Sequence, residues 1–110
     1  MATSGEYAEY VCEQLYGLGT VRLRKMFGEY LLYLNGKPLF LLCDQTVFVK
    51  ILPELAPLMA QAPRGIPYPG AKEHYVLDID NRPLLEQLVP LLEQGIPLPK
   101  NRRKIARGMD

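Results

Sequence analysis

The chain has 110 residues and a formal net charge of +1, a length that suits one domain with one modest core and excludes two. The balance hides an asymmetry. Residues 1–99 hold 8 basic and 11 acidic side chains, net −3, and residues 100–110 hold 5 basic and 1 acidic, net +4. No apolar run nears the roughly 20 residues that span a bilayer. Nor does the start, Met1 to Glu6, show a basic stretch followed by an apolar one, so a cytoplasmic protein without a membrane segment or secretory leader is expected.

Residues 6–17 predict an amphipathic helix. Tyr7, Tyr10, Val11, Gln14, Leu15 and Leu18 recur at spacings of three and four, with Glu6, Glu9 and Glu13 on the other side. Ser4 supplies an N-cap, and Gly17 and Gly19 bracket the stop.

From Thr20 the period changes to two. Val21 and Leu23 face one way, Arg22 and Arg24 the other, and Gly28-Glu29 breaks the run. Residues 30–34 form a second strand, closed by Asn35-Gly36, the strongest short hairpin signal because both residues accept positive φ. Lys37 to Cys43 returns, Asp44-Gln45 turns, and Thr46 to Lys50 makes a fourth strand. Pro53 opens a short helix carrying Leu55, Leu58 and Met59. Residues 62–70, with three prolines and two glycines, form a loop of extended character. Glu73 to Asp78 is a fifth strand. Asp80 or Asn81 caps a last helix whose apolar face is Leu84, Leu85, Leu88, Leu91 and Leu92. Pro83 suits its first turn, and Pro90 is expected to kink or end it. The result is an α+β fold in two layers, an antiparallel meander of about five strands with helices mainly on one face. One domain over residues 1–99 is expected to precede a disordered basic segment, 100–110.

The second and third strands are apolar on both faces. Simple alternation sets Tyr30, Leu32, Leu34, Leu39 and Leu41 against Leu31, Tyr33, Phe40 and Leu42. One layer of helices covers one set, so the other needs a cover. A second copy about a two-fold axis is the favoured cover, and a monomer covered by residues 62–70 and 96–99 is the alternative.

Catalytic material is thin. Ser4 and His74 are the single serine and histidine, and Cys12 and Cys43 have no metal or redox spacing. A Cys43–His74 pair is the one conceivable thiol–imidazole arrangement, and two reduced, largely buried thiols are the plainer reading. Asp78 and Asp80 suit a turn and a cap better than a cation site. No calcium loop or phosphate-binding glycine motif is present, so neither metal nor cofactor is expected.

Arg24-Lys25-Met26-Phe27-Gly28, then Tyr33, Asn35-Gly36, Phe40 and Phe48-Val49-Lys50, resemble the signature of the TfoX/Sxy family, N-terminal domain. The leading helix with Tyr7 and Leu15 matches its opening. Ile66 to Lys72 looks like the same segment of small stand-alone members, so the resemblance covers residues 6–99. It implies a secretion-chaperone-like α+β fold whose relatives often pair. It also implies regulation of natural competence genes together with a cyclic-AMP-responsive transcription activator, a role that in the best-known members involves a further helical domain. It carries no catalytic residue. The expected activity is therefore partner binding without catalysis, on a surface of Arg24, Lys25, Met26, Phe27, Gly28, Tyr33, Lys50 and Tyr68. The plainer role for the same residues is structural: Gly28 and Gly36 permit turns, Met26 and Phe27 pack, and Lys50 closes a strand. Two alternatives stand beside it. One is nucleic-acid binding by Arg22 and Arg24 with Lys100, Arg102, Arg103, Lys104 and Arg107. The other is a small-ligand pocket under the 62–70 loop.

Overall fold

Residues 3–99 are described by a computed structural model. Helix α1 (Gly5–Gln14) starts where Ser4 Oγ accepts from the Tyr7 N–H, as a serine cap does. Four strands follow: β1 (Val21–Met26), β2 (Glu29–Leu34), β3 (Lys37–Cys43) and β4 (Thr46–Lys50). A 3-10 turn at Pro53–Leu55 leads through further turns to β5 (Arg64–Gly65), β6 (His74–Leu77) and helix α2 (Arg82–Gly95). All pairings are antiparallel, in the order β1-β2-β3-β4-β6-β5. The α+β meander read from the sequence is thus observed, with one addition. The proline-rich loop contributes a two-residue sixth strand beside β6.

Each two-residue turn has positive φ at both loop positions: Phe27-Gly28, Asn35-Gly36 and Asp44-Gln45. Turns of this hand match the twist of the strands they join. At Asn35-Gly36 the turn fixes the pair Leu34↔Lys37 and, next, Tyr33↔Pro38. Continued unchanged, that register would set Leu32 opposite Leu39. A bulge at this point inserts Leu39, so Leu32 faces Phe40 and Tyr30 faces Leu42. Directly opposed residues share a sheet face. The grouping expected from plain alternation is therefore corrected beyond the bulge. Leu32, Leu34, Phe40 and Leu42 belong to one face, and Leu31, Tyr33 and Leu41 to the other.

The first of these faces carries the core. Leu32, Leu34, Phe40, Leu42, Val47, Val49, Tyr75 and Leu77 cluster with Ala8, Val11 and Leu15 of α1 and with Leu85, Leu88, Val89 and Leu92 of α2. Leu55 and Met59 join from the connecting turns. Both helices thus sit on the same side of the sheet. Asn81, rather than Asp80, caps α2 through a hydrogen bond from the Leu84 N–H. Of the two outcomes expected at Pro90, a kink or an end, the end does not occur: α2 continues to Gly95. Pro90 is exposed, so the Glu86 carbonyl it leaves without a partner faces water, while the buried leucines hold the helix down. Arg82 braces the helix pair, its guanidinium donating to the Gln14 and Tyr16 carbonyls at 3.0 and 2.9 Å. No helix among the described residues is long and apolar enough to cross a membrane.

Candidate functional site

The sheet face away from the helices is built by one straight row. Arg24 opposes Leu31, Leu31 opposes Leu41, Leu41 opposes Phe48, and Phe48 opposes Val76. Five adjacent strands thus present one cation and four apolar side chains on one line. A second row, toward the Asn35-Gly36 end, holds Arg22 opposite Tyr33 and Lys50 opposite His74. No helix among the described residues covers this face. Leu31, Leu41 and Val76 remain half-exposed. Tyr33 and Phe48 are shielded by small local contacts. The Arg22 guanidinium stacks 4.3 Å from the Tyr33 ring centre. His74 meets Phe48 edge to face at 6.4 Å. Gly65 lets β5 pass close by, since a Cβ there would lie 3.3 Å from Phe48 Cε1. A hollow of about 200 Å³ lies between Leu31, Pro38, Leu41, Phe48, Lys50 and His74.

The face is electropositive. Arg22, Arg24 and Lys50 have no ion-pair partner among the described residues. Glu29, on the same face by register, is committed: its Oε1 accepts from the Thr3 N–H, the Thr3 hydroxyl and the Asp44 N–H. Apolar rows flanked by unpaired cations suit a partner that is apolar at its centre and acidic at its rim.

The partner-binding residues read from the sequence do not form one cluster. Arg24, Tyr33 and Lys50 share the open face. Lys25 lies on the helix side, opposite Tyr30. Met26 pairs with Glu29 at the end of β1. Phe27 and Gly28 form the hairpin tip, and Tyr68 follows β5 at the opposite margin of the sheet. Of the nucleic-acid set, Arg22 and Arg24 are neighbours on the open face, whereas Lys100, Arg102, Arg103, Lys104 and Arg107 lie outside the described residues. The sequence reading missed Val76 and the joining of Phe48 to Leu41. Only the strand order, which sets β6 next to β4, brings them together.

Phe27 does not pack, contrary to the structural reading of its motif. It is wholly exposed, and its φ is +50°. Bulky residues avoid that conformation because Cβ crowds the carbonyl. Asparagine tolerates it, so Phe27→Asn is expected to raise stability by about 1 kcal/mol. For a domain of this size that corresponds to a thermal midpoint higher by roughly 4–8 °C. An unchanged midpoint would show that Phe27 is unstrained.

Cys43 and His74 do not form a pair. They sit at opposite ends of their strands with β4 between them, and burial, with Glu29 and Asp44 adding to it, pushes the Cys43 thiol up to about 11. Burial also raises Cys12. Such thiols are poor nucleophiles. Asp78 accepts from the Asp80 N–H, and Asp80 accepts from the Tyr10 hydroxyl, a bond that raises the tyrosine's pKa and ties α1 to the start of α2. A cavity of about 380 Å³ does open at the start of the 62–70 loop, among Met59, Ala62, Pro63, Leu77, Asp78 and Asn81. Of its polar residues Gln61, Asp78 and Asn81, Asp78 is engaged in this turn and Asn81 as the helix cap.

The fold and its open face define a small α+β domain organised around one uncovered side of an antiparallel sheet. A model of the TfoX N-terminal domain matches residues 13–82, a span that contains the whole sheet, and the chain belongs to that family. It is similar to an uncharacterised 12.7 kDa protein encoded in the trpE 5′ region of Spirochaeta aurantia. The two are 34% identical over 105 residues, covering 94% of this chain and 91% of that protein. No solved structure matches it.

Proposed function

We propose that this protein is a non-catalytic binding module of the kind used by competence regulators, and that it acts in the cytoplasm by capturing a protein partner on the open sheet face. The observation behind this reading is the continuous row Arg24, Leu31, Leu41, Phe48 and Val76, which no helix among the described residues covers. Family membership supports a regulatory module. A second copy of the chain is the simplest apolar occupant of the face.

The test combines partner capture with mass. Leu31→Thr together with Leu41→Thr keeps β propensity and removes the apolar row. Capture from the native cytosol is expected to fall at least about ten-fold, as loss of central interface anchors does, with the thermal midpoint held within a few degrees. Undiminished capture by the double variant refutes the face. Sedimentation equilibrium at micromolar concentration separates the occupants: a dimer mass that the double variant loses identifies a second copy, and a monomer mass throughout leaves a foreign protein. The unpaired cations Arg22 and Arg24 on this face also fit a nucleic-acid reading. That reading requires affinity to fall steeply with salt.

A further inference from the structure

Strand β1 ends the sheet, and among the described residues no strand pairs with its outer edge. The phase of its hydrogen bonding follows from one contact. Asn35 N–H donates to the Thr20 carbonyl at 2.8 Å, just beyond the pair Val21↔Leu34. Thr20 and Asn35 are therefore a hydrogen-bonded pair, and antiparallel pairs alternate between bonded and non-bonded. It follows that Arg22, Arg24 and Met26 exchange bonds with β2. Val21, Leu23 and Lys25 point their N–H and C=O groups away from the sheet. Among the described residues no backbone group meets them.

Edges of this kind are normally blunted by shortness, proline or a bulge. The opposite margin follows that rule: β5 has two residues and lies between Pro63 and Pro67. Strand β1 does not. It is six residues long, has no proline, and keeps an unbroken register with β2 over six pairs. Its one guard is charge, and the charge has a single sign: Arg22, Arg24 and Lys25. A second copy paired in antiparallel fashion about Leu23, a register that the outward groups allow, would set Arg22 against Arg24, which like-charge pairing disfavours. The chain's own residues 100–110 are also basic. An incoming strand with carboxylates opposite Arg22 and Arg24, and apolar residues opposite Val21 and Leu23, meets only favourable pairs.

We propose that β1 is a docking edge for an extended, acidic segment of a protein partner, which adds to the sheet as a further strand. Main-chain bonds to Val21, Leu23 and Lys25 supply the attachment, and the alternation of carboxylate and apolar side chains supplies the selectivity. The inference rests on the reading that the domain binds a protein. It uses the edge of the sheet and not its open face, so the two can fail separately.

The test titrates the isotope-labelled full chain with a synthetic peptide of alternating glutamate and valine, and in parallel with one of alternating lysine and valine. Amide exchange at Val21, Leu23 and Lys25 is expected to slow at least about ten-fold with the acidic peptide only, while Arg22, Arg24 and Met26, already bonded, change little. Lys25→Pro deletes one outward donor at a position where an edge strand accepts proline. It is expected to weaken binding about ten-fold or more, the scale of a lost main-chain bond that leaves its partner unsatisfied. Reversing Arg22 and Arg24 to glutamate should transfer the preference to the basic peptide, a result that does not depend on how Lys25→Pro folds. Leu31→Thr with Leu41→Thr should leave peptide binding unchanged. The proposal is overturned if the three outward amides stay unprotected at millimolar acidic peptide, if the charge reversal leaves the preference in place, or if an oligonucleotide rather than the peptide protects them.

Discussion

Phe40→Ala is expected to cost about 3–5 kcal/mol, the range for truncating a fully buried phenylalanine. Phe40 is 1% exposed and stands opposite Leu32 at the centre of β3, with both helices closing over that face. Its removal opens a cavity that the sheet cannot fill, because the neighbouring strands are pinned by their registers. A domain with the usual margin of about 5–15 kcal/mol loses a large part of its stability. Leu41, the next residue, points to the open face. Leu41→Thr is expected to cost no more than about 1 kcal/mol, since the side chain is half-exposed and threonine suits a strand. Urea unfolding of the two variants measures the difference. Equal losses would mean that the open face is packed as a second core, and the binding surface assigned to it would fall with that result.

The same pair of residues shows how far the sequence carries. The unbroken apolar run through β2 and β3 is enough to say that both faces are apolar and that one of them needs a cover. It does not say which residue belongs to which face. The Asn35-Gly36 turn fixes a register that plain alternation would extend to Leu32 opposite Leu39. The bulge overrides it, and a slip of one residue moves every later side chain to the other face. Pro38, with no N–H for the ladder of a central strand, is the one local hint of the bulge. The bulge itself is set by where Phe40 and Leu42 find the helices.

Other features were legible because their cause is local. Ser4 and Asn81 cap their helices through their own side chains. The Asn-Gly turn closes its hairpin by backbone preference alone. Strand β5 was not legible, since Arg64-Gly65 has no strand pattern and is held by pairing with β6, ten residues onward. The candidate site behaves likewise. Arg24, Tyr33 and Lys50 could be chosen by type, but their common face depends on three registers in succession. Phe27, read as a packing residue, is instead lifted clear by a turn geometry that its side chain disfavours.

Asn35→Ala is expected to cost about 2 kcal/mol, more than an exposed turn position normally would, because three effects meet at one residue. The backbone there has φ +54°, which asparagine tolerates and alanine does not. The side-chain Oδ1 accepts from the Thr20 N–H at 2.9 Å, and Nδ2 donates to Glu93 Oε2 at 2.8 Å. Those bonds hold the entry to β1 and the last turn of α2 against the β2–β3 turn. Lys37 adds to the same joint by donating to the Glu93 carbonyl. The approach is tight enough that a Cβ on Gly19 would stand 2.8 Å from the asparagine amide. Asn35→Gly separates the contributions. Glycine keeps the positive φ and loses both side-chain bonds, so it should recover about half of the alanine loss. The slope of the urea transition should be the same in all three proteins, since none changes the surface exposed on unfolding. If glycine proves as damaging as alanine, the turn conformation contributes nothing and the side-chain bonds carry the whole effect. If both variants match the parent, the joint between the β2–β3 turn and α2 is not under load, and the hairpin holds its shape through Gly36 alone.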